Sequence, residues 1–189
     1  MGRAALIVVD VQRDFCEGGA LAAAYTLSLI EPLATCIEAA RRAGAVIVYT
    51  QDWHPENHSS FQENGGPWPM HCVANSKGAE FMPPLSAEEG DVIIRKGVAV
   101  EGAGYSGFEI PELAEKLREL KVERIGVSGI ATEYCVRATA LDGLQAGFKT
   151  TLLSDLIRPV NPKETPRVWR ELKQAGAHIS TAAEWLASV

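Results

Sequence analysis

The sequence predicts a three-layer α/β fold in a single domain, residues 1–189, with about six parallel strands in one sheet and helices on both faces. Three observations predict this fold. Short continuous apolar runs such as AALIVV and AVIVYT are typical of strands buried on both sides. Segments with helical spacing alternate with these runs, which indicates right-handed crossovers and a parallel sheet. No linker or internal repeat divides the chain.

The predicted elements follow one another in strand–helix order. The strands are predicted at 4–9, 45–50, 91–94, 123–128, 148–153 and 177–180. The helices are predicted at 28–43, 111–120, 133–146, a segment that ends near 176, and 181–187. The capping-box spacing of Ser28 and Glu31 predicts the first helix start, and Gly44 predicts its end. The fourth helix has two candidate starts, the Asn-Pro of 161–162 and the Thr-Pro of 165–166, because proline is favoured in a first turn.

Charge and composition argue against several classes of protein. The net charge of -6 disfavours nucleic acid or an anionic membrane as a partner. The apolar run at 4–9 is too short for a signal peptide or a membrane span, so a cytoplasmic location is expected. The four cysteines form no CxxC pair, and a chain of this size does not need a disulfide framework. We therefore expect reduced thiols.

Polar side chains stand at or just beyond the ends of four predicted strands. They are Asp10, Asp52, Lys96 and Cys135. In open parallel sheets, sites form beyond the carboxyl ends of the strands, at the point where the strand order reverses. The sequence therefore predicts that these four side chains meet at one edge of the sheet.

Cys135 lies in the stretch GIATEYCV, in the first turn of the predicted helix 133–146, just beyond a predicted strand. The unpaired N–H groups and the positive dipole end of a helix start favour a thiolate, the reactive form of cysteine. Lys96 would add positive charge, and Asp10 could accept the thiol proton and later give one to a leaving amine. Singly, a turn-forming Asp, a surface Lys and a core Cys are the ordinary interpretations. Their shared position favours a cysteine nucleophile with an acid/base and a cation.

A metal site is predicted in the long irregular loop that follows the second strand. Asp52 and His54 are alternate residues after a strand, so they can direct two ligands to one point. His71 or His58 can supply a third ligand, and Glu63 is a weaker alternative. The alternative interpretation is that these histidines are scattered on the surface. Three of the four histidines lie in this one loop, which favours the metal site.

Aromatic residues lie in three of the loops. Phe15, Trp68 and Tyr105 either fix their loops to the core or form the walls of a flat apolar pocket for an aromatic ring. The glycine-rich run GVAVEGAGYSGF does not match a phosphate-binding loop. Nucleotide binding is therefore rejected.

Six motifs together resemble a known family. They are VDVQRDF at 9–15, DWH at 52–54, WPMHC at 68–72, RKG at 95–97, YSGF at 105–108 and GIATEYCV at 129–136. In content and order they resemble the nicotinamidase/pyrazinamidase branch of the isochorismatase-like cysteine hydrolases, over nearly the whole chain. The resemblance implies the isochorismatase-like fold and hydrolysis of nicotinamide to nicotinate and ammonia for NAD salvage. It also implies action on pyrazinamide.

The resemblance implies catalytic roles that agree with the interpretation of the residues. Cys135 is the nucleophile, Asp10 the acid/base and Lys96 the cation. The backbone N–H groups of Ala131 and Cys135 form an oxyanion hole, and the peptide before Ala131 is cis. Sequence leaves one point open, because the Thr132 hydroxyl could accept the same Cys135 N–H.

The resemblance also implies the ligands and the pocket. The implied metal ligands are Asp52, His54 and His71, and His58 is a ligand in only some members. The implied pocket residues are Phe15, Trp68 and Tyr105. The cofactor is one divalent metal ion, with zinc favoured and iron or manganese as alternatives, and it orients the substrate ring.

The expected partner is a small-molecule amide that forms a thioester with the enzyme, and a homo-oligomer is left open. One alternative is a sibling hydrolase of a carbamoyl or ureido compound, which usually lacks the Asp-x-His and distal His ligands. Another is a non-catalytic binding protein on the same fold, which the intact Asp10, Lys96 and Cys135 set disfavours. A thiol redox protein would need a resolving cysteine.

Overall fold

A computed structural model describes residues 2–189 of the protein. Six strands form one sheet in the order β3-β2-β1-β4-β5-β6, and every neighbouring pair of these strands is parallel. The strands are β1 Arg3–Val9, β2 Val46–Asp52, β3 Val92–Lys96, β4 Val122–Ile130, β5 Lys149–Arg158 and β6 His178–Ser180. The predicted α/β fold with a six-stranded parallel sheet is confirmed.

Helices cover both faces of the sheet. Those of the described chain are α1 Leu27–Arg42, α2 Pro111–Glu119, α3 Arg137–Gln145, α4 Thr165–Gln174 and α5 Ala182–Leu186. The buried residues of α1 and α5 belong to one apolar cluster, and those of α2, α3 and α4 belong to another. α4 begins at the second of its two predicted starts. Among residues 2–189, no helix combines the length and apolarity needed to cross a membrane.

β1 shows why the sheet is buried on both faces. Its side chains alternate between the two apolar clusters, with Ala4, Leu6 and Val8 in the first and Ala5, Ile7 and Val9 in the second. Successive side chains of a strand point to opposite faces, so a continuous apolar run supplies both cores. The predicted buried strand therefore holds the centre of the fold.

Four strands extend further toward their carboxyl ends than the sequence predicts. β2 includes Asp52 and β3 includes Lys96, so each polar residue is the last residue of a strand. β4 continues to Ile130 and β5 to Arg158. Pairing across the ladder, Asp52 with Lys96 and Ile130 with Arg158, keeps the backbone extended beyond the apolar runs.

One predicted helix cap and one predicted helix start are wrong. α1 begins one residue before Ser28, whose hydroxyl donates to the Tyr25 carbonyl oxygen at 2.8 Å instead of capping the helix. The helix predicted from position 133 begins at Arg137, because the preceding residues Thr132–Val136 form a π-helical turn.

The long irregular segment between β2 and β3 is packed onto the domain. Phe61 is completely buried. The side-chain amides of Gln12 and Gln51 both donate to the Ala79 carbonyl oxygen, at 2.9 and 2.8 Å. This segment therefore forms one wall of the crevice described next.

Candidate active site

The site lies at the carboxyl edge of the sheet, where β1 and β4 are neighbours. The chain leaves β1 toward a helix on one face and leaves β4 toward a helix on the other, which opens a crevice between the two strand ends. Asp10 directly follows β1, and Cys135 follows β4. Asp52 and Lys96 end β2 and β3. The structure brings together the four polar residues that the sequence singled out.

The ammonium group of Lys96 lies at the centre of this cluster, and its side chain is completely buried. Nζ lies 2.8 Å from Asp10 Oδ2 and contacts Asp52 Oδ1. It also donates to the Gly104 carbonyl oxygen at 2.7 Å and lies 3.5 Å from Cys135 Sγ. Burial opposes the charge, but the two carboxylates and the Cys135 sulfur outweigh it, and the pKa of the Lys96 amine lies well above its usual value.

Asp10 has one carboxylate oxygen without a hydrogen bond. Oδ1 accepts from the Thr50 hydroxyl at 2.6 Å. Oδ2 forms the ion pair with Lys96, but that contact lacks hydrogen-bond geometry, so this buried oxygen keeps a free lone pair. Burial raises the pKa of the Asp10 carboxyl, and Lys96 offsets only part of the rise. A carboxyl group with a raised pKa is suited to accept and return a proton.

The thiol of Cys135 differs from the expected thiolate. Burial raises its pKa well above the usual range; Lys96 opposes the rise, and Asp10 adds to it. The buried cluster already holds two carboxylates for one ammonium, so a thiolate would add uncompensated charge. Burial and the two carboxylates therefore both favour the thiol of Cys135 over the thiolate. A carboxylate oxygen of Asp10 lies within 4.8 Å of Sγ.

The backbone around Cys135 is shaped by the π-helical turn. Val136 N donates to the Ala131 carbonyl oxygen at 3.2 Å, a π-type bond of the kind that occurs frequently at functional sites. The peptide before Ala131 is cis, as the resemblance implies. The N-cap residue of this turn is Ala131, whose side chain has no hydrogen-bond acceptor.

Three buried side chains beside the cluster can hold a metal ion. Asp52, His54 and His71 each place a ligand atom within 4.8 Å of the others. Nδ1 of His54 lies 2.9 Å from the Gly97 carbonyl oxygen, and Nδ1 of His71 lies 2.7 Å from that of Pro69. A ring nitrogen that faces a carbonyl oxygen carries a proton, which leaves Nε2 of each ring as the atom able to bind a metal. This is the usual arrangement of histidine ligands.

His58 lies next to this triad, whereas Glu63 does not. The ring centroids of His58 and His54 are 4.1 Å apart, and His58 Nε2 is buried without a hydrogen-bond partner. Burial, followed by the nearby His54, lowers the pKa of His58 to about 4. Glu63 is exposed on a short 3₁₀ turn and lies outside the triad.

The donor set fits a divalent cation. Burial disfavours the ionised Asp52 carboxyl, but Lys96 and then His54 outweigh it and lower its pKa to about 2. Neutral imidazoles and an ionised carboxylate are ligands for zinc, iron and manganese. A cation would also offset the excess negative charge of the buried cluster. The unpartnered His58 Nε2 is the kind of buried polar atom that a bound cation would satisfy.

A pocket of about 530 Å³, its open mouth included, lies in front of Cys135. The three aromatic residues predicted for a pocket, Phe15, Trp68 and Tyr105, all line it. Trp68 Nε1 donates to the Tyr105 hydroxyl at 3.3 Å. Asp52, His54 and His71 also line the pocket, whereas the buried Asp10–Lys96 ion pair lies behind its wall. Cys135 thus lies between the pocket and this ion pair.

A family model for the isochorismatase domain matches residues 4–184. The chain belongs to the isochorismatase domain family. The pyrazinamidase of Pyrococcus horikoshii, solved in complex with zinc, is 47% identical with a TM-score of 0.91, and the match covers 95% of this chain and 99% of that one. A protein of L. infantum, solved in complex with nicotinate, is 35% identical with a TM-score of 0.86, over 96% and 93% of the two chains.

A curated relative of full length agrees with these structures. The nicotinamidase of Escherichia coli K12 is 36% identical, over 96% of this chain and 96% of its own. The isochorismatase-like fold and the resemblance to nicotinamidases and pyrazinamidases are therefore confirmed.

Three other pocket residues of this isochorismatase domain were not predicted from the sequence. Tyr134 lines the pocket, with its ring perpendicular to that of Trp68 and 5.2 Å away. Its position beside Cys135 in GIATEYCV is a signal that could have identified it. Leu21 and Val160 also line the pocket but come from loops without a chemical motif, so sequence offered no signal for them.

Gln12 was also missed as a support of the site. Its Nε2 donates to the Asp52 carbonyl oxygen at 2.9 Å, and its Oε1 accepts from the Asp52 N–H at 2.8 Å. This paired contact fixes the end of β2 against the loop that follows Asp10. The motif VDVQRDF contained the residue, but only the folded chain shows its partner.

Gly97→Ala is expected to remove bound metal and to lower the free energy of unfolding by about 2–4 kcal/mol. Gly97 has φ 64°, and a Cβ there would overlap the ring of His54. Gly102→Ala is the matched control in the same loop, because φ is 117° but nothing lies within 4 Å of its Cβ. Urea unfolding and metal content by mass spectrometry check the result. Equal losses in the two variants would contradict it.

Proposed function

We propose that this chain is a metal-containing cysteine amidohydrolase that converts nicotinamide to nicotinate and ammonia, for NAD salvage, and also hydrolyses pyrazinamide. The observation that carries the proposal is the position of Cys135. Its sulfur faces a pocket with aromatic walls on one side and the buried Lys96–Asp10 pair on the other. The names of the close relatives support the same substrates.

The first half of the reaction forms a thioester. Asp10 Oδ2 takes the thiol proton as Cys135 Sγ attacks the amide carbon. The N–H groups of Ala131 and Cys135 stabilise the oxyanion, with a contribution of about 3 kcal/mol per donor. The C–N bond then breaks, and Asp10 returns the proton to the leaving nitrogen, which departs as ammonia.

The second half regenerates the enzyme. Asp10 takes a proton from water as the oxygen attacks the thioester carbon, the C–S bond breaks, and the sulfur recovers the proton from Asp10. Lys96 stays charged throughout, because both carboxylates hold its pKa high. Its charge limits the build-up of negative charge as Asp10 and the sulfur exchange the proton.

Asp52, His54 and His71 would hold the divalent ion, with His58 at its edge and zinc favoured over iron or manganese. When bound, the ion supplies a Lewis-acidic position that binds the ring nitrogen and orients the ring. The walls of Phe15, Trp68, Tyr105 and Tyr134 support the same orientation by stacking.

The other predictions remain proposals. A sibling hydrolase of carbamoyl or ureido compounds is disfavoured by the triad of metal ligands, and a non-catalytic binding protein by the intact catalytic cluster. A single domain over 1–189, a cytoplasmic location, a homo-oligomer as an alternative to the monomer, and the lack of nucleic-acid or membrane partners stay predictions.

Metal removal is expected to lower kcat/KM for nicotinamide by about 100-fold or more, because orientation of the ring is lost. Ammonia release is measured on nicotinamide, pyrazinamide, benzamide and a ureido acid, with and without chelator, and after zinc, iron or manganese is returned. Benzamide lacks the ring nitrogen and should be poor with or without metal. Full activity in a metal-free preparation would contradict the metal's role, and preference for the ureido acid would contradict the proposed substrate.

A further inference from the structure

Glu133 lies two residues before the nucleophile and reaches across to another loop. Its carboxylate accepts the backbone N–H of Asn161 through Oε1 at 2.6 Å and that of Val160 through Oε2 at 3.1 Å. These two residues belong to the loop 159–161, which directly follows β5. Each oxygen thus holds one N–H of a loop that has no regular secondary structure.

The loop held by Glu133 forms part of the pocket rim. Val160 lines the pocket together with Leu21. The two loops that carry them are joined, because Ala24 N donates to the Pro159 carbonyl oxygen at 2.8 Å. The position of this rim therefore depends on hydrogen bonds made by its backbone, two of which are accepted by the Glu133 carboxylate.

Glu133 links two walls of the pocket. Glu133 is adjacent to Tyr134, which lines the pocket and packs against Trp68. A change in the Glu133 contact would alter the separation between this aromatic wall and Val160. The proposed mechanism does not use Glu133, whose carboxylate is directed to the loop and not to the reacting sulfur.

We propose that Glu133 is a positioning residue that fixes the Val160 rim and thereby excludes substrates with a substituent on the ring edge. This inference rests on the proposed function, because it concerns the selection of substrates by that pocket. The substrate class is then unsubstituted six-membered heteroaromatic amides. Only a carboxylate offers one acceptor to each of the two N–H groups; glutamine presents an NH₂ group to one of them.

The test compares nicotinamide with 5-methylnicotinamide, whose methyl group is meta to both the amide and the ring nitrogen. In Glu133→Gln, kcat/KM for the methylated amide relative to nicotinamide is expected to rise about tenfold, since one methyl group in an apolar pocket has an effect of that size. KM for nicotinamide should rise while kcat changes by less than about threefold, because ground-state binding is what weakens. Glu133→Asp keeps both oxygens and should lie closer to the wild type.

Glu164→Gln is the matched control. It removes the same charge a few residues along the same connection, but its side chain pairs with Arg167 on the surface and not with the 159–161 main chain. It should leave the substrate ratio unchanged. Amide hydrogen exchange at Val160 and Asn161 gives a second readout, and both amides should exchange faster in Glu133→Gln only.

The outcomes separate this inference from the proposed function. A wild-type protein inactive on nicotinamide contradicts the proposed function, while the exchange rates still report on the hydrogen bonds. An unchanged substrate ratio in Glu133→Gln, or the same change in Glu164→Gln, overturns the role of Glu133. A folded Glu133→Gln protein in which both substrates lose activity equally also overturns it, because that result indicates a structural role alone.

Discussion

Cys135→Ala is expected to lower kcat for nicotinamide hydrolysis by about 10⁴-fold or more, because the atom that forms the acyl-enzyme is lost. The remaining donors and pocket walls stay in place, so the variant should still bind nicotinate. Ammonia release measures the first effect, and calorimetric titration with nicotinate measures the second. The comparison separates loss of chemistry from loss of the site.

Cys36→Ala is the matched control for this substitution. Cys36 is also a buried cysteine, but it lies on α1 within an apolar cluster and does not line the pocket. It should keep kcat and lose about 1 kcal/mol of stability or somewhat more. Wild-type ammonia release from Cys135→Ala would show that another group attacks the amide.

The raised pKa of the Cys135 thiol adds a condition to this mechanism. A thiol that stays protonated at rest needs a base at the moment of attack, and in the proposed mechanism Asp10 is that base, through an oxygen free of hydrogen bonds. Under the same proposal, Lys96 acts less by ionising the cysteine in advance than by compensating Asp10 and Asp52. The helix-start argument from sequence overlooked these two carboxylates.

The sequence predicted the fold and the four strand-end residues because local rules determine them. A buried parallel strand requires a continuous apolar run, and a strand–helix alternation requires crossovers, so the ends of the strands must meet. Asp10, Asp52, Lys96 and Cys135 are found together for that reason. Their burial was not predictable, since it depends on how loops fold over the strand ends, such as the loop whose Gly104 carbonyl oxygen accepts from Lys96.

What the sequence missed depends on backbone geometry and loop contacts that local residue patterns do not encode. The π-helical turn at Thr132–Val136 replaces the expected helix start, and no local pattern in GIATEYCV distinguishes the two. Leu21 and Val160 come from loops far apart in sequence that a main-chain hydrogen bond joins. Ser28 and Glu31 have the spacing of a capping box, but the chain entering α1 directs Ser28 to Tyr25 instead.

Lys96→Met is expected to lower the free energy of unfolding by about 3–5 kcal/mol and to abolish activity. Methionine fills a similar volume but leaves two carboxylates buried without their cation. The measurement is urea unfolding at neutral pH in chelator-treated protein, so that metal does not compensate Asp52. Lys116→Met removes a charge from an exposed helix pair and should change stability by about 0.5 kcal/mol or less.

The pH dependence of the Lys96→Met effect identifies its cause. In the wild type, the pKa of Asp52 is lowered to about 2, below the unfolded value, so its contribution is present above about pH 4 and is lost as the pH falls toward 2. Without Lys96, the pKa values of the Asp10 and Asp52 carboxyls rise in the folded variant. Protonation then relieves the repulsion between the two groups as the pH falls. The stability difference between wild type and variant should therefore shrink between about pH 7.5 and pH 4.5.

Lys96→Met/Asp10→Asn should recover part of the stability without activity, because one buried charge is gone while the proton carrier is lost as well. A difference that is constant with pH would instead indicate a packing defect.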